Sequence, residues 1–302
     1  MLKSTSASPA SIKYQFVYNL TPANSLAFED LTFPSITKHW QKFRQRGPLS
    51  GVAVSVNEER VGFVLAELMP DVTRAEVLSF FVKPNYRRQG LGTQLMRYME
   101  IALTKLSCAE LFLKYRVTSL TDSALEPILH QQSWQPPETE FVLTKTTAEK
   151  LRSAPWVYKY CLPQQFTVFP WTELTKAEKA RIVQRKKYPD ALSPFTEDGP
   201  LEPINSVGLR YQGEVIGWAI AHRIAPDTIR YSSMFVEEPF QKLGRGFALL
   251  TEAVRRQLTA DIPYFTAAVA SNNIGMLRCV DRYFKPYAEL MSESRRCVKR
   301  LG

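Results

Sequence analysis

Cysteine is scarce in this chain and histidine scarcer, with four of the first and three of the second in 302 residues. Cys108, Cys161, Cys279 and Cys297 stand far apart and form no C-x-x-C pair. That excludes a zinc ribbon or a disulfide framework, so no metal site is expected and a reducing, cytoplasmic setting fits best. Long apolar runs are missing too: 18 consecutive apolar residues occur nowhere, and no membrane-spanning helix is expected. The segment Met1 to Ser11 has neither an apolar h-region nor a run of arginines, so no export signal is expected. Neither G-x-x-x-x-G-K-[ST] nor G-x-G-x-x-G occurs, which disfavours nucleotide hydrolysis and dinucleotide binding.

What is present points to a packed protein. Hydrophobic residues make up 45% and charged residues 23%, ordinary values for a globular chain. At about 150 residues per domain the length predicts two domains. The net charge of +10 and pI near 9.4 favour a polyanionic partner, whether nucleic acid, anionic lipid or a phosphorylated cofactor.

The chain repeats itself. In the first half Arg60–Ala66 reads as a strand, Pro70-Asp71 as a turn and Val77–Val82 as a second strand; in the second half Val215–Ala221, Pro226-Asp227 and Tyr231–Val236 say the same. Each hairpin runs into a glycine-bearing bend, Arg87-Arg88-Gln89-Gly90-Leu91-Gly92 or Gln241-Lys242-Leu243-Gly244-Arg245-Gly246. Gly244 lies 154 residues after Gly90, and Val236 the same distance after Val82. An amphipathic helix follows each bend, with Leu91, Leu95, Met99, Ala102 and Leu106 on one face of the first and Phe247, Leu250, Val254 and Leu258 on one face of the second. A strand and a further helix come next in both. The polar stretch from Thr144 to Pro155 reads as a linker, giving expected domains 1–150 and 151–302.

A strand feeding a short bend that opens a helix makes an anion site, because the first-turn amides are unpaired and the helix dipole is positive there. Glycine at positions 90, 92, 244 and 246 removes side chains that would keep phosphate oxygens away, while Arg87, Arg88 and Lys242 add positive charge.

The run Val82-Lys83-Pro84-Asn85-Tyr86-Arg87-Arg88-Gln89-Gly90-Leu91-Gly92 resembles the coenzyme A pyrophosphate loop of the GNAT superfamily, pattern [RQ]-x-x-G-x-[GA] after a strand. Val236 to Gly246 resembles it as well, with Glu238 at the usual proline position. The resemblance covers most of both halves. It implies an α+β fold of two tandem GNAT-type domains, each a mixed, twisted sheet flanked by helices. It also implies acetyl-CoA or a longer acyl-CoA as co-substrate, held by Phe81, Val82, Arg87, Arg88, Gln89, Gly90, Leu91, Gly92 and Thr93 in one copy. Phe235, Val236, Gln241, Lys242, Leu243, Gly244, Arg245 and Gly246 are their counterparts in the other. The implied acceptor is an amine on a small molecule, peptide or protein side chain.

Acyl transfer from a thioester to an amine needs an uncharged amine, an oxyanion donor and a proton for the departing thiolate. Glu76 stands where histone-acetyltransferase-like members carry a carboxylate base; its counterpart is Arg230, which cannot serve. In the second copy His222, on the strand beside Arg230 and Tyr231, has a suitable pKa for a base. The family's tyrosine acid, four residues before a Gly-aromatic pair, is absent: Leu129 precedes Ser133-Trp134, and Val280 precedes Phe284 with Tyr283 out of register. Asn272 or Asn273 matches the family's Asn at the start of this helix, where the first copy has Asp122. The segment Tyr188 to Pro203, bearing Asp190, Glu197, Asp198 and Glu202, reads as an acidic lip for a cationic amine. Two rival readings are a nucleic-acid binder, prompted by Lys38–Arg46 and Arg181–Lys187, and an acyl-CoA-binding module without turnover. The first is disfavoured because no helix-turn-helix, RNP or zinc signature accompanies the basic segments.

Overall fold

A computed structural model describes residues 11–37, 47–71, 73–118, 123–196 and 199–302, apart from the side chains of Pro22 and Leu243. Lys38–Arg46, Asp122, Glu197, Asp198 and the Leu243 side chain therefore lie outside the described residues. The chain forms two compact units, one of residues 1–139 with 294–302 and the other of residues 140–293.

In the first unit the alternating apolar runs become β1 (Ile12–Val17), β2 (Leu49–Val56), β3 (Glu59–Leu68), β4 (Arg74–Val82) and β5 (Glu110–Thr118). The first four are antiparallel neighbours, and β4 then runs parallel to β5. Helix α1 (Leu91–Lys105) crosses between the last two and buries Leu91, Leu95, Met96, Met99 and Leu103. The expected face is thus correct in direction, with Ala102 and Leu106 half-buried at its margin. A short helix α2 (Glu126–Gln131) follows β5.

The second unit repeats the plan with β7 (Phe166–Pro170), β8 (Val207–Tyr211), β9 (Glu214–Ala225), β10 (Thr228–Val236) and β11 (Tyr264–Ala270). Again the first four are antiparallel and β10 runs parallel to β11. Between them α3 (Lys176–Arg185) precedes β8 and α4 (Arg245–Thr259) joins β10 to β11, while α5 (Ile274–Cys279) follows β11. Helix α4 buries Leu250, Val254 and Leu258 on the predicted face. Both units are mixed sheets flanked by helices, as expected.

The stretch from Thr144 to Pro155 is not a linker. It holds the end of strand β6 (Glu138–Thr147) and a helix, Ala148–Arg152, whose first turn is capped by the Thr147 hydroxyl accepting from Lys150 N at 3.2 Å. Threonine suits a strand, and Thr144 and Thr146 point inward, 4% and 0% exposed, so their polarity misleads a reading based on composition. Strand β6 pairs antiparallel with β11, Phe141 to Thr147 against Ala270 to Tyr264. The end of strand β12 (Leu290–Arg300), from the second half, belongs to the first unit beside β5. There Gln135 N donates to Val298 O at 2.9 Å, Leu301 N to Ala109 O at 2.8 Å, and Cys297 is fully buried in the core. β5 and β11 each gain their next neighbour from the other half of the sequence.

Deleting residues 294–302 should therefore strip β5 of its neighbour. Hydrogen exchange should show the amides of β5 losing protection while those of β9 and β10 keep theirs; unchanged protection in β5 would contradict the exchange.

Candidate functional site

Both hairpins end in the same local geometry. The parallel ladder of β10 with β11 runs from Thr228↔Tyr264 to Tyr231↔Ala267 and stops; that of β4 with β5 runs from Arg74↔Glu110 to Val77↔Leu113 and stops. At that point the register with the preceding strand slips, so that Ser232 in one unit and Leu78 in the other have no opposite residue. Such a bulge bends a strand and increases its twist, which turns the last residues of β10 and β4 away from their parallel neighbours. A wedge opens between the two strands in each unit.

At the mouth of each wedge the bend enters a helix through a left-handed glycine, Gly90 at φ 78° and Gly244 at φ 72°. A side chain on either would meet no atom within 4 Å, so it is the backbone conformation that calls for glycine here. Arg87 Nε donates to Val82 O at 2.8 Å, and Gln241 Nε2 donates to Val236 O at 2.8 Å. The first residue of each motif thus staples the bend to the strand end. Gln89 Nε2 donates to Asn85 O, Leu91 is in the core, and Thr93 O accepts from Gln132 Nε2. The Arg245 guanidinium lies over the Phe166 ring at 4.8 Å and Arg87 over Phe81 at 5.6 Å, whereas Arg88 and Lys242 are exposed. Phe235 packs on Trp218, ring centroids 4.9 Å apart, and Val236 is buried beside it.

The two wedges differ in what fills them. A Cβ on Gly92 would come within 3.2 Å of both Ile128 Cδ1 and Phe80 Cζ, so the first wedge is packed with side chains at the helix start. A Cβ on Gly246 would meet only Val236 Cγ2, at 3.7 Å. The second wedge is a cavity of about 560 Å³. One wall is β10 from Tyr231 to Val236, and another is β11 from Ala267 to Ala270. Phe247 and Leu250 of α4 close one side and Met276, Cys279 and Phe284 another; Thr144 of β6 stands among them.

His222 faces Arg230 across β9 and β10, and Glu67 faces Glu76 across β3 and β4. His222 is 3% exposed and its Nδ1 is 2.7 Å from Ser232 Oγ; Ser232, the bulged residue, lines the cavity. Glu76 lies within the paired part of β4, opposite Phe112 on its other side, before the wedge begins. The Tyr231 hydroxyl accepts from Asn205 Nδ2 at 2.9 Å and donates to Gln257 Oε1 at 3.0 Å, and desolvation raises its pKa above the usual phenol range.

Of the acidic lip only Asp190 and Glu202 lie among the described residues. Glu202 is 3% exposed and accepts from Arg223 Nε at 2.6 Å and from Ile204 N at 3.0 Å, so burial and pairing remove it from any surface. Asp190 is exposed and paired with Lys186. The segment instead folds over the hairpin: Leu201 bridges to His222, and Leu192 O accepts from Trp218 Nε1 at 3.0 Å and Ser233 Oγ at 2.7 Å. The basic run Arg181–Lys187 is likewise paired, Arg181 with Glu214, Arg185 with Glu214 and Glu237, and Lys187 with Glu237.

Sequence reasoning passed over two cavity residues, Thr144 and Cys279. Counted from the second aromatic-pair position, Trp134 in one unit and Phe284 in the other, Leu129 corresponds to Cys279 and not to Val280. Residues Val280–Phe284 form one wide π-type turn, which carries Tyr283 toward Tyr160, hydroxyl to hydroxyl 2.9 Å. Asn273 caps α5, its Oδ1 accepting from Met276 N at 3.1 Å.

Both units are α+β, with a parallel strand pair that parts over a helix N-terminus. The model of the acetyltransferase (GNAT) family matches residues 15–124 and again 168–284, and the chain belongs to that family. Among solved structures it is similar to a tandem GNAT protein from the clavulanic acid biosynthesis pathway, at TM-score 0.57 and 13% identity, covering 96% of this chain and 99% of that one. It is also similar to a GCN5-related N-acetyltransferase from Sphaerobacter thermophilus, at TM-score 0.58 and 16% identity over 95% and 96%. A GNAT-family acetyltransferase from Colwellia psychrerythraea gives 0.51 and 9% over 95% and 100%. At these identities the likeness is one of fold. No curated protein sequence matches. No group of metal-binding side chains is found among the described residues, and none of their helices is long and apolar enough to cross a membrane.

Burial pushes the Cys279 thiol up to about 11, and thiolate is the form that alkylates. At pH 8 the exposed Cys161 should be labelled by iodoacetamide well before Cys279, whose rate should climb only as pH approaches 11. Peptide mass spectrometry reads this directly, and equal labelling rates at pH 8 would refute the buried placement.

Proposed function

We propose that the chain is an acyl-CoA-dependent N-acyltransferase whose second unit carries the active site. It transfers an acetyl or longer acyl group to a primary amine of a small molecule, peptide or protein by direct transfer in a ternary complex. The observation that carries this reading is the open wedge of about 560 Å³ with a glycine-opened helix N-terminus at its mouth. Membership of the family supports coenzyme A as the phosphate-tailed ligand. The amides of Arg245, Gly246 and Phe247 at the start of α4 are the groups suited to the pyrophosphate, helped by the exposed Lys242. Beyond Tyr231 the main chain of β10 borders the cavity and offers hydrogen bonds to the pantetheine arm and thioester.

In the transfer the amine nitrogen attacks the thioester carbonyl carbon and a C–N bond forms. The C–S bond then breaks, the amine gives up a proton and the departing thiolate takes one. Ser232 Oγ, in the cavity wall and 2.7 Å from His222 Nδ1, is the route by which His222 accepts the proton from inside the sheet. A thiol held protonated, as Cys279 is, serves as proton donor to the leaving group. The first unit is the structural copy: Phe80 and Ile128 take the space at Gly92, and Glu76 stands outside the wedge.

A second reading, binding without turnover, is favoured by the non-tyrosine residues Leu129 and Cys279 at the acid position. Assay of CoA release from acyl-CoA against a panel of amines separates the two, and His222→Ala should lower release more than it lowers acyl-CoA affinity. For the choice of unit, Gly246→Val should weaken CoA binding in calorimetry at least about tenfold, because its side chain enters the cavity. Gly92→Val should lower the melting temperature and leave CoA affinity unchanged. The reverse pattern would assign binding to the first unit.

A further inference from the structure

The first unit shows which side chains plug a wedge of this kind. Its last parallel pair is Val77↔Leu113 and that of the second unit is Tyr231↔Ala267, so Leu113 and Ala267 are counterparts. Two residues further along, Tyr115 is the counterpart of Val269, and on the following helix Leu129 is that of Cys279. Leu113 and Leu129 are buried in the core of the first unit, and Tyr115 packs against it with its hydroxyl donating to Glu126 Oε1 at 2.7 Å. At all three positions the second unit carries a smaller side chain. Ala267, Val269 and Cys279 all line its cavity, and Ala267 and Cys279 are only half-buried there.

Pantetheine and thioester are served by the main chain of β10 beyond Tyr231, where the ladder with β11 has ended. The room beside Ala267 lies at the closed end of the wedge, past those groups, so it is the acyl group that reaches it. Tyr231, larger than its counterpart Val77, does not close this room. Its hydroxyl is tied to Asn205 and Gln257, and its ring packs on Phe265 with centroids 4.3 Å apart. Among the described residues no charged side chain lines the cavity, so a carboxylate on the acyl group would be desolvated without a partner. An aliphatic chain gains instead with each methylene it buries. This inference rests on the second unit binding acyl-CoA. We infer that its donor is an uncharged aliphatic acyl thioester longer than acetyl, and that Ala267, with Val269 and Cys279, makes the room that admits the chain.

The test is calorimetry on the full chain with CoA, acetyl-CoA, butyryl-CoA, hexanoyl-CoA and succinyl-CoA. Butyryl-CoA should bind roughly tenfold tighter than acetyl-CoA, since each buried methylene is worth up to about fourfold, and succinyl-CoA should bind no tighter than acetyl-CoA. Ala267→Leu, which restores the plug of the first unit, should erase the preference for butyryl-CoA with the affinities for CoA and acetyl-CoA unchanged. Ala267→Val, the smaller change, should reduce the preference part of the way. Butyryl-CoA and hexanoyl-CoA binding no tighter than acetyl-CoA to the unmodified protein would overturn the inference while leaving CoA binding intact. An Ala267→Val loss that falls equally on CoA and every thioester would also overturn it, placing the pantetheine arm in this room. Failure of CoA itself to bind would overturn the acyl-CoA reading and this one with it.

Discussion

The parallel pairing of β10 with β11 lasts four residues, and its end at Tyr231↔Ala267 governs the rest of the second unit. Main-chain N–H and C=O groups must find partners, so a strand leaving its neighbour either meets another element or opens onto a cavity. The bulge at Ser232 sets the direction of departure. The Gln241 side chain then fixes the strand end to the bend, and the bend delivers the N-terminus of α4 to the mouth of the gap. The walls follow from that geometry: α4 on one side, α5 and its wide turn on another, and β6 along the far edge of β11.

The same construction appears in the first unit and ends differently. Its strands part after Val77↔Leu113, the bulge falls at Leu78, and Arg87 plays the stapling part of Gln241. Phe80 and Ile128 then close on the helix start, so that a Cβ at Gly92 would press on both at 3.2 Å. Burying those apolar groups stabilises the unit by roughly 25 cal/mol for each square ångström removed from water. The second unit forgoes that gain over a cavity of about 560 Å³ lined by Phe247, Leu250, Met276 and Phe284. The same bend therefore borders a cavity in one unit and packed side chains in the other.

The local parts of this arrangement were legible in the sequence because their signals are local. Alternation marked the hairpins, helical periodicity marked α1 and α4, and paired glycines marked the bends. Even the placing of His222 on the strand beside Arg230 came from two strands joined by a short turn. What was not legible depends on residues distant in the chain. The Thr144–Thr147 segment is polar and reads as loop until its partner, Tyr264–Ala267, is known. Glu202 reads as a surface acid until Arg223 is found beside it, 2.6 Å away. Cys279 is missed when Phe284 is taken as the first residue of the aromatic pair; with Tyr283 in that place, a count of four reaches Cys279.

The exchange of strands changes what counts as one half of this molecule. Cutting the chain near residue 150 would leave seven residues of β11, Tyr264 to Ala270, without their antiparallel partner. An unpaired edge of that length invites association with other chains and costs the main-chain bonds that hold the strand flat. It would also remove Phe141 and Thr144 from the cavity lining. The wedge in the second unit is thus built from both halves of the sequence. A stretch whose composition resembles a connector supplies a wall of the binding space, so the first half contributes to the site through a strand as well as through its own fold.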